Sequence, residues 1–222
     1  MDLYEKYHTS RSDERRGLFE IARREFGAAR GLYPGCFVHV TPSFFIPDMV
    51  YVDSIASAAR FFRARKASAL VAREKVYAGD AQIAFHPLDY TDPLPLVDAS
   101  FDLLISQYAG PISEHCRRYL RPGGILIANN SHGDAGLAHN DPAFELVAVI
   151  NRRGTRFTLS TKALDACFVP KKTKVPEDRA AARAFLMKLG RGVGYTKSPA
   201  DYVFQKVVSA TLEETSATPE KH

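Results

Sequence analysis

The chain has 222 residues, 45% of them hydrophobic and 25% charged, with a net charge of +5. That is the composition of one ordinary globular domain with a sizeable core. No apolar run reaches the roughly 18 residues that cross a bilayer. The opening MDLYEKYHTSRSDERR lacks a signal peptide's apolar stretch. A cytoplasmic protein without a membrane partner is therefore expected, as a single domain over 1–208 with an N-terminal helix and a polar, flexible tail over 209–222.

Taken in chain order, Ser12 followed by Asp13 and Glu14 reads as a helix start, with Leu18, Ile21, Ala22 and Phe26 at helical spacing and Gly27 as the stop. Gly31-Leu32-Tyr33 reads as a first strand closed by Pro34-Gly35, and Met49-Val50-Tyr51-Val52 as a second ending at Asp53. Residues 55–77 carry a helical pattern, and Gln82-Ile83-Ala84-Phe85 reads as a third strand. The continuous apolar run Phe101–Ser106 suits a strand buried on both faces. A helix over 112–120 and a fifth strand, Ile125–Ala128, follow.

Farther on, 144–150 and 155–160 suit an antiparallel hairpin around the turn at 151–154. A helix over 176–189 has Pro176 in its first turn and Gly190 after it, and 202–208 reads as a last strand. Strands alternating with helices require crossovers. The expected fold is α/β: a doubly wound, mostly parallel sheet with helices on both faces and an antiparallel C-terminal edge.

Cys36, Cys116 and Cys167 are scattered, with neither zinc-ligand spacing nor a disulfide framework, so no metal site is expected. The basic excess concentrates at 60–75 and 171–197, which favours an anionic partner, yet nothing resembles an aromatic platform for RNA. A small-molecule substrate is preferred to nucleic acid. The oligomeric state stays open, with a homodimer as one option.

Ligands of open parallel sheets bind outside the carboxyl ends of the strands. The residues there are Gly35 and its loop, Asp53, Asp89, Ser106-Gln107-Tyr108 and Asn129-Asn130-Ser131-His132-Gly133-Asp134. Asp53 can accept two ribose hydroxyls or cap the next helix; its position suits both. The 129–134 segment either orients a polar acceptor, with His132 as general base and Asn130 beside it, or merely makes a polar turn. Tyr108 is either an acceptor contact or a core aromatic, and Tyr4 with His8 could cover a pocket.

Leu88-Asp89, Leu94-Pro95-Leu96, Phe101-Asp102-Leu103-Leu104 and Tyr119-Leu120-Arg121-Pro122-Gly123-Gly124-Ile125-Leu126-Ile127 occur in one order. Over residues 28–130 this resembles the class I S-adenosylmethionine-dependent methyltransferases, which have a Rossmann-like fold. The resemblance implies S-adenosylmethionine as cofactor and methyl transfer to a small polar molecule. It implies Gly35 in the first loop, Asp53 with Ser54 at the ribose, Asp89 with Tyr90 at the adenine, and Ser106, Gln107 and Tyr108 along the methionine end. Thr41 or Ser43 would add contacts to the methionine part.

In LYPGCFVHVTPS, Tyr33 stands where the family has an acid and Phe37 where it has a second glycine. That departure keeps two other readings open: a non-methylating reaction of the same cofactor, such as intramolecular displacement, or a non-catalytic binding protein of the same fold. No GxGxxG follows the first strand, which disfavours a dinucleotide oxidoreductase.

Overall fold

The computed structural model describes residues 3–12 and 14–207. Eight strands form one sheet in the order β3-β2-β1-β4-β5-β8-β6-β7. Strands β1 (Arg30–Pro34), β2 (Asp48–Val52), β3 (Gln82–His86), β4 (Phe101–Ser106) and β5 (Leu120–Ala128) run parallel. β8 (Asp201–Lys206) returns antiparallel to β5, and β6 (Phe144–Arg153) and β7 (Arg156–Ser160) add the antiparallel edge hairpin. Strand order reverses between β1 and β4, so the switch point lies at their carboxyl ends.

Alternation along β4 divides the core. Leu103 and Ile105 belong to the cluster that also buries α2 (Arg16–Phe26) and Phe61 of α3 (Ala56–Arg63). Leu104 faces the other side, with Ile112 and Cys116 of α5 (Ile112–Cys116) and Ala135 of α6 (Asp134–His139). Helices thus cover both faces, as a parallel sheet requires. α7 (Arg179–Leu189) closes a third, smaller cluster with Leu137, Val193 and Tyr195. The three cysteines are buried and unpaired. Part of the basic excess is structural, since Arg183 reaches Glu114 and Asp141, and Arg179 donates to the His139 carbonyl.

The crossover from β1 to β2 contains no α-helix, only the 3-10 turn Thr41–Phe44. Cys36, Val38, Val40, Phe44, Phe45 and Ile46 are all buried there. The residues explain it: β-branched Val38 and Val40 and a proline at 42 carry no helical periodicity, so the segment packs as core rather than coiling over it. Leu18, Phe19 and Ile21 of α2 join it in the same core cluster.

Several element boundaries differ from expectation. Ser12 does not cap α2. It ends a 3-10 turn, Thr9–Arg11, in left-handed conformation, and α2 begins after a left-handed Arg15 whose side chain turns into the core. The helix expected over 55–77 is two helices, α3 and α4 (Lys66–Glu74), broken at left-handed Arg65. The 112–120 helix stops at Cys116, because β5 begins at Leu120 and takes in the Arg121–Gly124 turn. α7 starts at Arg179 with Asp178 as its cap, accepting from the Ala181 amide at 2.8 Å, so Pro176 lies ahead of it. Asp13, Val208 and the expected tail lie outside the described residues.

Candidate functional site

The carboxyl ends of the parallel strands form a rim with two unlike halves. The outer half follows β2 and β3. Asp53, only 6% exposed, accepts from the Phe37 amide at 2.7 Å through Oδ2 and from the Ile55 amide at 2.8 Å through Oδ1. It therefore ties the first crossover to the start of α3 and keeps one further lone pair on each oxygen. Ser54 and Ile55 beside it are exposed, Ile55 by 51%.

Across β3, Leu88 and Asp89 are also exposed. The Thr91 amide (2.9 Å) and hydroxyl (2.8 Å) donate to Asp89 Oδ1, which holds its carboxyl below the usual range. Its Oδ2 remains available as an acceptor. Tyr90 is half-buried and donates to the Ala109 carbonyl; burial pushes its phenol up to about 12.

The inner half, at β1 and β4, is closed. Gly35 takes φ +62°, and a Cβ there would lie 2.1 Å from the Ala109 Cβ. A Cβ on Gly110 would likewise lie 2.6 Å from the Tyr90 hydroxyl. These are close backbone approaches that only glycine permits.

Tyr33 is buried, its hydroxyl 3.0 Å from His39 Nδ1. Thr41 is buried too, bonded at 2.7 Å to the Tyr4 hydroxyl, and Ser43 bonds Tyr51 at 2.6 Å. Gln107 has three partners: its amide nitrogen donates to Asp201 at 2.8 Å, and its oxygen accepts from Arg15 and from Asn129. Arg15 is 8% exposed, pairs with buried Asp201 at 3.7 Å and also donates to the Tyr108 hydroxyl. Tyr108 itself is left-handed (φ +57°) and 57% exposed, with the Arg15 guanidinium 4.6 Å from its ring centre.

Beyond β5, Asn129 Oδ1 accepts from the Ser131 amide and hydroxyl. The Ser131 hydroxyl has spent its proton there, so it accepts from His132 Nδ1–H at 3.0 Å. That fixes the tautomer and leaves Nε2 of exposed His132 able to take a proton. Asn130 instead faces the 190–194 segment, donating to the Val193 carbonyl at 2.8 Å.

Asp134 is completely buried. The Ser106 and Ser113 hydroxyls donate to it at 2.5 Å each, with the Ser113 amide at 3.1 Å. Burial raises its carboxyl to about 6. Ser106 is thus turned beneath the rim, towards α5 and α6.

Of the residues singled out in the sequence, the outer half gathers Asp53, Ser54 and Asp89. Tyr108 and His132 are the exposed members beyond β4 and β5. Tyr33, Thr41, Ser106 and Gln107 have internal partners. Arg15 and Asp201 escaped notice: they lie 92 and 94 residues from Gln107, and neither sits in a pattern that marks it. Among the described residues no group of three metal-ligating side chains comes together, and no helix is long and apolar enough to cross a membrane.

No family model and no curated protein matches the chain. Solved structures do. A Methanococcus maripaludis protein assigned as an S-adenosyl-L-methionine-dependent methyltransferase is 11% identical over 94% of this chain and 91% of its own, with a TM-score of 0.48. YcgJ from Bacillus subtilis is 13% identical over 87% and 98%, at 0.43. The O-methyltransferase from Bacillus cereus, solved with S-adenosylhomocysteine, is 12% identical over 65% and 77%, at 0.44. The parallel order 3-2-1-4-5, extended by an antiparallel C-terminal edge, gives this chain the Rossmann-like α/β fold expected of it.

Proposed function

We propose that this protein is an S-adenosylmethionine-dependent methyltransferase acting on a small polar molecule. One observation carries the reading. Two carboxylates with oxygens still able to accept, Asp53 and Asp89, stand after adjacent strands, with exposed Ile55 and Leu88 following and preceding them. That set fits a nucleoside: acceptors for ribose hydroxyls and a base amino group, and apolar surface for a flat base. The methionine end has less room, because Gly35 rests on Ala109 and Gln107 is already partnered.

When bound, the cofactor supplies an electrophilic methyl on sulfur. The chain's share is alignment, which is most of what such a displacement needs. Tyr108 presents a hydroxyl held by Arg15, and His132 can take the acceptor's proton on Nε2 while Ser131 holds Nδ1–H. The closed inner half favours a second reading, a protein of this fold that binds a nucleoside-type ligand without transferring a methyl group.

Titration calorimetry with S-adenosylmethionine and S-adenosylhomocysteine tests both readings. Binding of either, weakened at least tenfold in Asp53→Ala, is expected; no heat at millimolar ligand would sink both. Binding without turnover on any of a panel of small nucleophiles would leave the second. His132→Ala should keep cofactor binding and lose most turnover.

A further inference from the structure

The described residues ahead of α2 make a seam against the first crossover and the end of β4. The Tyr4 hydroxyl meets Thr41, and the Tyr7 ring stands edge-on to Phe37 with centroids 5.2 Å apart. The His8 ring stacks on His39 at 4.3 Å, and the Glu14 carbonyl meets His39 Nε2 at 3.1 Å. Arg15 ends the seam on Gln107, Tyr108 and Asp201. These contacts fall on the inner half of the rim, on the loop beneath it and at the start of β8, while the Ser12 carbonyl accepts from Arg152 of β6 at 2.9 Å.

Two features show that this segment depends on those contacts for its shape. α1 (Leu3–Tyr7) has five residues and the following 3-10 turn has three, too few to hold a helix alone. Ser12 and Arg15 are both left-handed, a conformation that side chains adopt only when their surroundings impose it. The segment's other flank is loosely packed. A cavity of about 490 Å³ separates Tyr4, Glu5 and Thr9 from Phe61, Leu70 and Arg73 of α3 and α4.

We infer that residues 4–12, with Glu14 and Arg15, form a latch that shuts the inner half of the rim, with Arg15 as its catch, and that the cofactor enters only when it releases. The inference rests on the cofactor reading above. In the closed state the Arg15 guanidinium occupies Gln107 Oε1, the Tyr108 hydroxyl and Asp201, so a ligand that reaches those groups competes with the latch. The observed dissociation constant is then the intrinsic one divided by the unlatched fraction. Loosening the latch must tighten apparent binding, the reverse of what losing a ligand contact does.

The test compares the full chain with Arg15→Lys and Tyr4→Phe. The lysine keeps a cation beside Asp201 but loses the fork that reaches Gln107 and Tyr108 together. Tyr4→Phe keeps the ring, removes the hydroxyl that bonds Thr41 and Glu14, and guards against a catch variant that folds poorly. Amide hydrogen exchange over 3–12 and calorimetry with S-adenosylhomocysteine are the readouts. Exchange should speed up about tenfold in both variants relative to α2, with affinity rising by a similar factor. Unchanged exchange, or faster exchange with equal or weaker binding, would overturn the latch. No binding by any of the three proteins would overturn the cofactor reading instead.

Discussion

The two halves of the rim hold similar residue types and use them in opposite ways. After β2 and β3, Asp53 and Asp89 accept from nearby backbone and still have oxygen lone pairs to offer, with exposed Ile55 and Leu88 alongside. After β1 and β4, Thr41 is bonded by Tyr4 of α1, Tyr33 by His39 of the crossover, and Gln107 by Arg15 and by Asp201 of β8. A list of polar residues at strand ends therefore locates a rim without telling which part of it is open. What decides is whether the chain itself supplies the partners.

If the inner half is closed by packing, filling its tightest contact should be severe. In Gly35→Ala the new methyl would lie 2.1 Å from the Ala109 Cβ at φ +62°. Overpacking and left-handed strain together should cost about 2–5 kcal/mol, read as a lower urea midpoint. A loss below about 1 kcal/mol would show that β1 and β4 part easily and that the contrast between the halves is shallow.

A smaller effect comes from the carboxylate beneath the closed half. Asp134 titrates near 6 in the folded protein against an ordinary 3.8, because burial disfavours its charge. Between those values the native state holds a proton that the unfolded chain has released. Stability therefore falls as pH rises from about 4 to 6, by on the order of 2–3 kcal/mol from this group. Asp134→Asn should flatten that part of a stability-against-pH curve while keeping an acceptor for the Ser113 amide. An unchanged slope would mean that the Ser106 and Ser113 hydroxyls compensate the buried charge in full.

Much of this architecture was legible in the sequence. The β-rich runs at 49–52 and 101–106 stand between helical patterns, and their carboxyl ends must carry the rim. Position alone put Asp53 and Asp89 on that rim. The segment LYPGCFVHVTPS was legible as a strand, a Pro-Gly turn and a loop open to a ligand, yet it forms a buried crossover in which Thr41 and Ser43 have internal partners. The rest depends on contacts between distant residues. Arg15 sits in a run of charged residues, where a solvated surface is the natural expectation, and only the fold brings it to Gln107 and Asp201. The same inward turn of Arg15 displaced the start of α2 from Ser12, so the missed catch and the misplaced helix start have one cause.

The mildest substitution sharpens the contrast most. Asp89 is exposed, and among the described residues its side-chain bonds are to Thr91, two residues on. Asp89→Ala should therefore change stability by no more than about 0.5 kcal/mol, the usual range for a surface side chain. If the outer half receives the nucleoside end of the ligand, the same change should weaken S-adenosylhomocysteine binding about tenfold, the loss of one hydrogen bond to a charged acceptor. Calorimetry and urea denaturation on one preparation give both numbers. Weaker binding at unchanged stability belongs to a residue kept for a ligand, as the open half implies. Unchanged binding would mean that the turn at Asp89 serves only its own backbone, and the two halves would then differ in exposure but not in use.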